Sequence, residues 1–468
     1  MKRYWRLLAV GLGLLLIVFI GINQVDQPEY PGEFPGEGEL DETDYRQSNG
    51  FYTLWTLIEP RDTDIHSRDV LAPYRSIYRQ ESFERAVVDF DWGRYKKLGK
   101  AFDRRWRETQ QKHPQWVRFP SRESGIDWVE SLRRARKEIR MLAGEYDYML
   151  ARYTEMLRNP FFQDLTIVRE DAPVPNLLAW LHLAKLYTAG MVLDALAGRW
   201  DAAASGLLDQ LRSARKVVKG SRTLITNLVA KAELRLAAEA LAALMNQPEC
   251  PRRIFQAILD RTPRLEFAEY GSLPLVHEYR YKPDYNWHRF YRVEDRSLVS
   301  SALYTIFTLP EHTRNLRKRM IEKIIHAERT DPHKWKQDPF APRDFTRGLF
   351  WWVRNPGGKI LLNRFAGASG GSLARVILKS YRARTVYEML RISAELHLNY
   401  TPEKGVMETL NGLSSYSVMD PCSGRPYIWN SEKQVLYSIG TDRIDDGGRP
   451  QLEDASGDFP LQVVLYIR

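Results

Sequence analysis

From Asn176 the apolar positions fall at helical spacing. Leu177, Leu178, Trp180, Leu181, Leu183, Ala184 and Tyr187 are followed by Leu193, Leu196 and Ala197, and Gly198 marks the end. A second helix opens at Trp200, carries Leu207, Leu208, Leu211, Ala214 and Val217 on one face, and stops at Gly220-Ser221. The third and most regular run lies between Leu224 and Met245, and Pro251 suits the start of a fourth helix over 252–259, because proline fits a first turn whose N–H needs no partner. Pro310 opens a charged helix reaching Ala327, and a long helix is predicted from Leu373 to Leu398. The Gly-Arg-Trp-Asp-Ala-Ala junction at 198–203 also suits a tetratricopeptide hairpin, but the next junction, near Gln247, comes about 49 residues on instead of about 34. A plain antiparallel bundle is the expectation.

The period changes near the C-terminus. Residues 425–429 and 434–439 read as two strands around a 430–433 turn, and 461–467 as a third. At the other end, residues 7–22 form an apolar run broken only by glycines and preceded by Lys2, Arg3 and Arg6. Acidic residues follow between Asp26 and Asp44, so the positive-inside rule puts the N-terminus in the cytoplasm and the rest outside. No Ala-x-Ala site follows the run, which favours an uncleaved anchor over a cleaved signal. Residues 26–45 are too acidic and too broken by Pro and Gly to bury a core, and read as a stalk. The fold expected is mainly α, divided into an anchor (1–24), a stalk (25–50), an antiparallel helical periplasmic body (51–372), and a small α+β lobe with a short antiparallel sheet (373–468).

Composition supports a packed body, with 44% hydrophobic and 12% aromatic residues in 468. The net charge of +10 is uneven, concentrated in 94–118 and 314–323. Aromatics at Tyr95, Phe102, Trp106 and Trp116 interleave the first cluster in the manner of a nucleic-acid surface, but an exported chain meets no nucleic acid in service. Solvated helix faces are the expectation, with anionic lipid headgroups the alternative.

Signals for chemistry are sparse. Gly367-Ala-Ser369-Gly-Gly371 matches the nucleophile-elbow spacing but lacks the alternating strands and helices that would place it on a parallel sheet, so it reads as a loop. His326 and His333 stand seven apart across Pro332, which is not zinc spacing. Glu145 and Asp147 are near enough for acid and base work, and equally fit a polar helix rim. The aromatic stretch from Glu266 to Tyr304 suits either a core edge or a groove wall. Cys250 and Cys422 are the only cysteines, and in an oxidising compartment they are disulfide candidates; a buried thiol at Cys422 is the alternative.

The tail carries the most specific pattern: a long helix, a short turn, Asp420-Pro-Cys-Ser-Gly-Arg-Pro-Tyr, a hairpin, then Gly440-Thr-Asp-Arg-Ile-Asp-Asp-Gly-Gly448. Over roughly its last 90 residues the chain resembles the C-terminal module of type II secretion major pseudopilins. More of its length resembles uncharacterised helix-rich, membrane-anchored bacterial envelope proteins. The first resemblance implies a calcium loop, with Asp442 and Asp458 in the positions of the ligands and Asp445 and Asp446 close by; hard oxygen donors in number suit that ion. In pseudopilins the helix begins in the membrane, whereas here it follows roughly 370 other residues, so pilus assembly does not carry over. The function expected is a single-pass inner-membrane scaffold or interaction protein. It is held by residues 7–22, has an envelope protein partner and no nucleic acid, and is associated with a secretion or pilus system. The alternative is a periplasmic hydrolase with an aromatic-lined groove.

Overall fold

The structure, a computed structural model, describes residues 49–66, 92–112, 128–165, 174–271, 274, 310–335, 371–449 and 459–462. The anchor at 7–22, the stalk as far as residue 48, most of the aromatic stretch, the serine loop at 367–370 and Asp458 lie outside the described residues. No described helix is long and apolar enough to cross a membrane.

The described chain is mainly helical, with one small antiparallel sheet. It begins with α1 (Gly50–Thr56), whose buried cap Asn49 accepts from the Phe51 N–H at 3.1 Å. The same side chain is pinned to a distant loop, donating to the Gln163 carbonyl at 2.8 Å and accepting from the Gln163 N–H at 3.0 Å. There follow α2 (Trp92–Lys112), α3 (Trp128–Arg134), α4 (Arg136–Glu145) and α5 (Asp147–Arg158).

The predicted helices then appear nearly as read: α6 (Leu177–Leu196), α7 (Trp200–Gly220), α8 (Leu224–Met245) and α9 (Arg252–Arg261). Gly198 ends α6 at φ +88°, a left-handed conformation that glycine adopts without a Cβ penalty, and its N–H reaches the Ala195 carbonyl at 2.8 Å. α7 turns back along α6, α8 packs along α7 and against α6, and α4 and α5 lie against α6. α6 and α8 are buried nearly all round, as helices inside a bundle must be.

Later come α10 (Pro310–Arg329), α11 (Gly371–Asn399) and α12 (Gly405–Gly412), then β1 (Ile428–Asn430), β2 (Val435–Ser438) and β3 (Phe459–Gln462). The strands run in the order β1-β2-β3, antiparallel, with Ile428 opposite Tyr437 and Leu436 opposite Leu461. The third strand starts two residues before the predicted one and takes in Pro460, which an edge strand tolerates.

The chain divides into two compact units. One unit contains, among described residues, 310–330, 334–335 and 371–376; the other contains the helical body to 274, the segment 331–333, α11 from Ile377 and the whole C-terminal lobe. Within this second unit the body and the lobe are one packed entity. Lys231 of α8 meets Ser380 at 2.5 Å, Arg215 of α7 donates to the Tyr387 hydroxyl at 3.1 Å, and Phe255 of α9 stacks on His397 at 4.7 Å.

Candidate functional site

Two buried polar networks, both in the second unit, dominate its chemistry. The first threads the helical body. Thr188 of α6 donates to the Gln210 side-chain carbonyl at 2.9 Å, and the Gln210 amide donates to the Tyr153 hydroxyl at 3.0 Å. Tyr153 of α5 in turn donates to Glu233 Oε1 of α8. One hydrogen-bonded chain thus fixes four helices in register, among side chains that are fully buried. Burial pushes the Glu233 carboxyl up to about 8, and the hydrogen bond from the Tyr153 hydroxyl pulls it part of the way back. It is therefore mostly a neutral acid at pH 7. Two residues beyond Trp180 on α6, His182 stacks on Trp106 at 4.4 Å, and burial drives its imidazole down to about 3.

The second network centres on Arg384 of α11. Its Nε donates to Glu388 Oε1 at 2.9 Å, its Nη1 to Asp331 Oδ1 at 2.9 Å, and its guanidinium lies 4.9 Å from the centre of the Tyr270 ring. Burial alone would lower the guanidinium; Glu388, Tyr270 and Asp331 outweigh it and hold the charge firmly in place. Tyr427 donates to the other Glu388 oxygen at 2.5 Å, and Tyr416 donates to the Tyr427 carbonyl at 2.6 Å. A similar arrangement involves Tyr387 of the same helix, where Arg215 bonds Glu269 at 2.6 Å and the Tyr387 hydroxyl donates to the Pro263 carbonyl at 2.8 Å.

The Asp-Pro motif of the tail is a folded knot. The Asp420 carboxylate accepts from the Cys422 N–H at 3.0 Å, the Ser423 N–H at 3.1 Å and the Ser438 hydroxyl of β2 at 2.8 Å. Gly424 closes the turn at φ +67°, and a Cβ there would stand 2.7 Å from the His333 ring. That ring is held by a 3.0 Å hydrogen bond between Nδ1 and the Pro421 carbonyl. The turn therefore needs glycine both for its backbone and for room.

The sequence-derived site residues fall as follows. Asp442 accepts from the Ile444 N–H at 3.1 Å, and Asp445 from the Tyr437 hydroxyl and the Gly447 N–H, both at 2.9 Å. Asp446 is half-buried in the same loop. Among the described residues no group of three or more His, Cys, Asp or Glu side chains gathers as for a metal ion. Cys250 and Cys422 are both buried, and no bridge joins them in the structure. Cys422 sits in the Asp420 turn as a small buried side chain; burial raises its thiol well above the usual range, leaving it a poor nucleophile. Glu145 pairs with Arg105 and Asp147 with Arg61, so the two candidate carboxylates serve separate ion pairs. His326 is exposed on α10, away in sequence from the turn that holds His333.

Arg384, Glu388, Asp331, Tyr153, Gln210 and Glu233 were not singled out from the sequence. No signal marked Glu233, because Lys231, Arg235 and Glu239 share its helix and only packing separates the buried acid from the others. No family model, curated protein or solved structure matches this chain.

Proposed function

We propose that the chain is a membrane-anchored scaffold of the bacterial envelope, its helical body and pseudopilin-like lobe presented outside the membrane as one rigid platform for a protein partner. The observation that carries this reading is the Arg384 hub, which binds α11, the 331–333 segment, Tyr270 and, through Glu388, Tyr427 of the lobe. Charged groups in it are spent on fixing distant segments to one another. Such a platform suits binding by shape, because its surfaces keep their relative positions when a partner arrives. The acid stretch at 26–45 and the apolar run at 7–22 support tethering.

The test is made on native membranes. After alkaline carbonate washing the full-length chain is expected in the pellet, and site-specific photocrosslinkers on α12 and the 440–449 loop are expected to capture the same envelope protein at both positions. Release of a shorter soluble form would overturn the tether. Turnover of ester, peptide or glycan substrates by the purified chain, lost on substitution of a single buried acid, would overturn the scaffold in favour of a hydrolase.

A further inference from the structure

Helix α2 carries eight cations, Arg94, Lys96, Lys97, Lys100, Arg104, Arg105, Arg107 and Lys112, against the acids Asp103 and Glu108. Two of the cations are used inside the fold, Arg94 by Glu59 and Arg105 by Glu145. Lys96, Lys97, Lys100, Arg104 and Arg107 are exposed. At 3.6 residues per turn these five share an arc of about 100°, opposite the buried Tyr95, Phe102 and Trp106, and run about 17 Å along the axis. Among the described residues Arg107 bonds only within its own helix, donating to the Asp103 carbonyl at 3.2 Å, and Asp103 and Glu108 lie at the two edges of the arc. Among the described residues no carboxylate of another element pairs with this face.

We propose that this outward face of α2 binds the headgroups of anionic phospholipids. Tyr95, Phe102 and Trp106, which the sequence interleaves with these cations, are buried in the core, so they are not available to stack on bases as a single-stranded nucleic-acid surface requires. The apolar side of the helix is likewise spent on packing, so α2 does not insert as an interfacial amphipathic helix would. What remains is a straight row of exposed point charges. Lysine ammonium and arginine guanidinium groups at helical spacing match a plane of phosphates, whose attraction is long-range and screened by salt. The proximity of such a plane follows from the anchored reading of 7–22; the contact itself is measured below whether or not that segment inserts.

The purified full-length chain is mixed with vesicles of phosphatidylcholine alone or with about 30% phosphatidylglycerol, at about 50 mM and about 500 mM salt. Amine-reactive labelling of Lys96, Lys97 and Lys100 is then read by mass spectrometry, with exposed Lys219 of α7 as the internal reference. Anionic vesicles at low salt are expected to slow labelling of the three α2 lysines severalfold relative to Lys219, and high salt to abolish the difference. The triple variant Lys97→Glu, Lys100→Glu, Arg104→Glu, whose changes are all at exposed positions, is expected to lose the protection of Lys96 while keeping its thermal midpoint. Equal labelling on both vesicle compositions overturns the proposal. Protection by a short DNA duplex but not by anionic vesicles overturns it in favour of nucleic acid. Protection without any vesicle, released by salt, overturns it by assigning the face to an acidic segment of the chain itself.

Discussion

The two networks bury carboxyl groups in opposite ways. Among the described residues Glu233 of the helical body has no ion pair; the Tyr153 hydroxyl donates to it, and burial raises its carboxyl to about 8, so that it stays buried by keeping its proton. Around Arg384, the carboxyl groups of Glu388 and Asp331 share one guanidinium, which lies between them at hydrogen-bond distance. Desolvating a lone carboxylate costs several kcal/mol, and a protein can avoid that cost by protonation or offset it with a partner. The choice follows from which segments meet. Inside a tight helical bundle there is room for hydroxyl, amide and indole groups, whereas at the junction of a helix, a loop and a lobe a long arginine can reach across. The first solution makes stability sensitive to pH; the second makes it sensitive to the loss of one residue.

The sharpest way to break the comparison is Arg384→Ala. It leaves Glu388 and Asp331 facing one another without a cation, and unfolding free energy is expected to fall by about 3–5 kcal/mol in urea titrations. A loss below about 1 kcal/mol would mean that solvent reaches these groups and that the hub holds nothing.

The next test is pH. Glu233 has a folded-state value of about 8 against an ordinary 4.5, so the folded chain binds more protons than the unfolded one between those values and stability falls as pH rises. His182, driven down to about 3 from 6.5, works the other way, losing stability as pH falls through that window. The two oppose each other between pH 4.5 and 6.5, so the carboxyl shows alone only above the ordinary histidine value. From pH 6.5 to 8 the wild type is expected to lose about 2 kcal/mol more than Glu233→Gln, at ~1.4 kcal/mol per unit. Parallel pH profiles would show that Glu233 is ionised in the fold.

The smallest effect is expected from Thr188→Val. It removes the hydroxyl that satisfies the Gln210 carbonyl while keeping the side-chain shape, and should cost about 1 kcal/mol at any pH. A pH-dependent loss would instead show that the chain of hydrogen bonds is needed to keep Glu233 protonated.

Much of the architecture was legible. Helical spacing placed α6, α7 and α8 within a residue or two of their ends, because Gly198, Trp200, Ser221 and Thr223 are local stop and start signals. The hairpin of β1 and β2 was legible for the same reason. Neither network was. Tyr153 and Glu233 are 80 positions apart, Tyr270 and Arg384 are 114, and nothing local distinguishes a tyrosine that will meet a glutamate from one that will face water. The two cysteines show the same limit: compartment and count argue for pairing, but only packing sets the distance between Cys250 and Cys422.

The sequence by itself determined that this chain is helix-rich, where six of its described helices begin and end, and that a small sheet follows the last of them, because periodicity, caps and turn residues act over a few positions. Only the tertiary structure decided that the lobe and the body are one packed entity, that Glu233 keeps its proton while Glu388 takes an arginine, and that Tyr95, Phe102 and Trp106 of α2 face inward and its lysines outward. Those outcomes depend on which distant surfaces exclude water together, and burial is a property of the assembled fold, not of any segment alone.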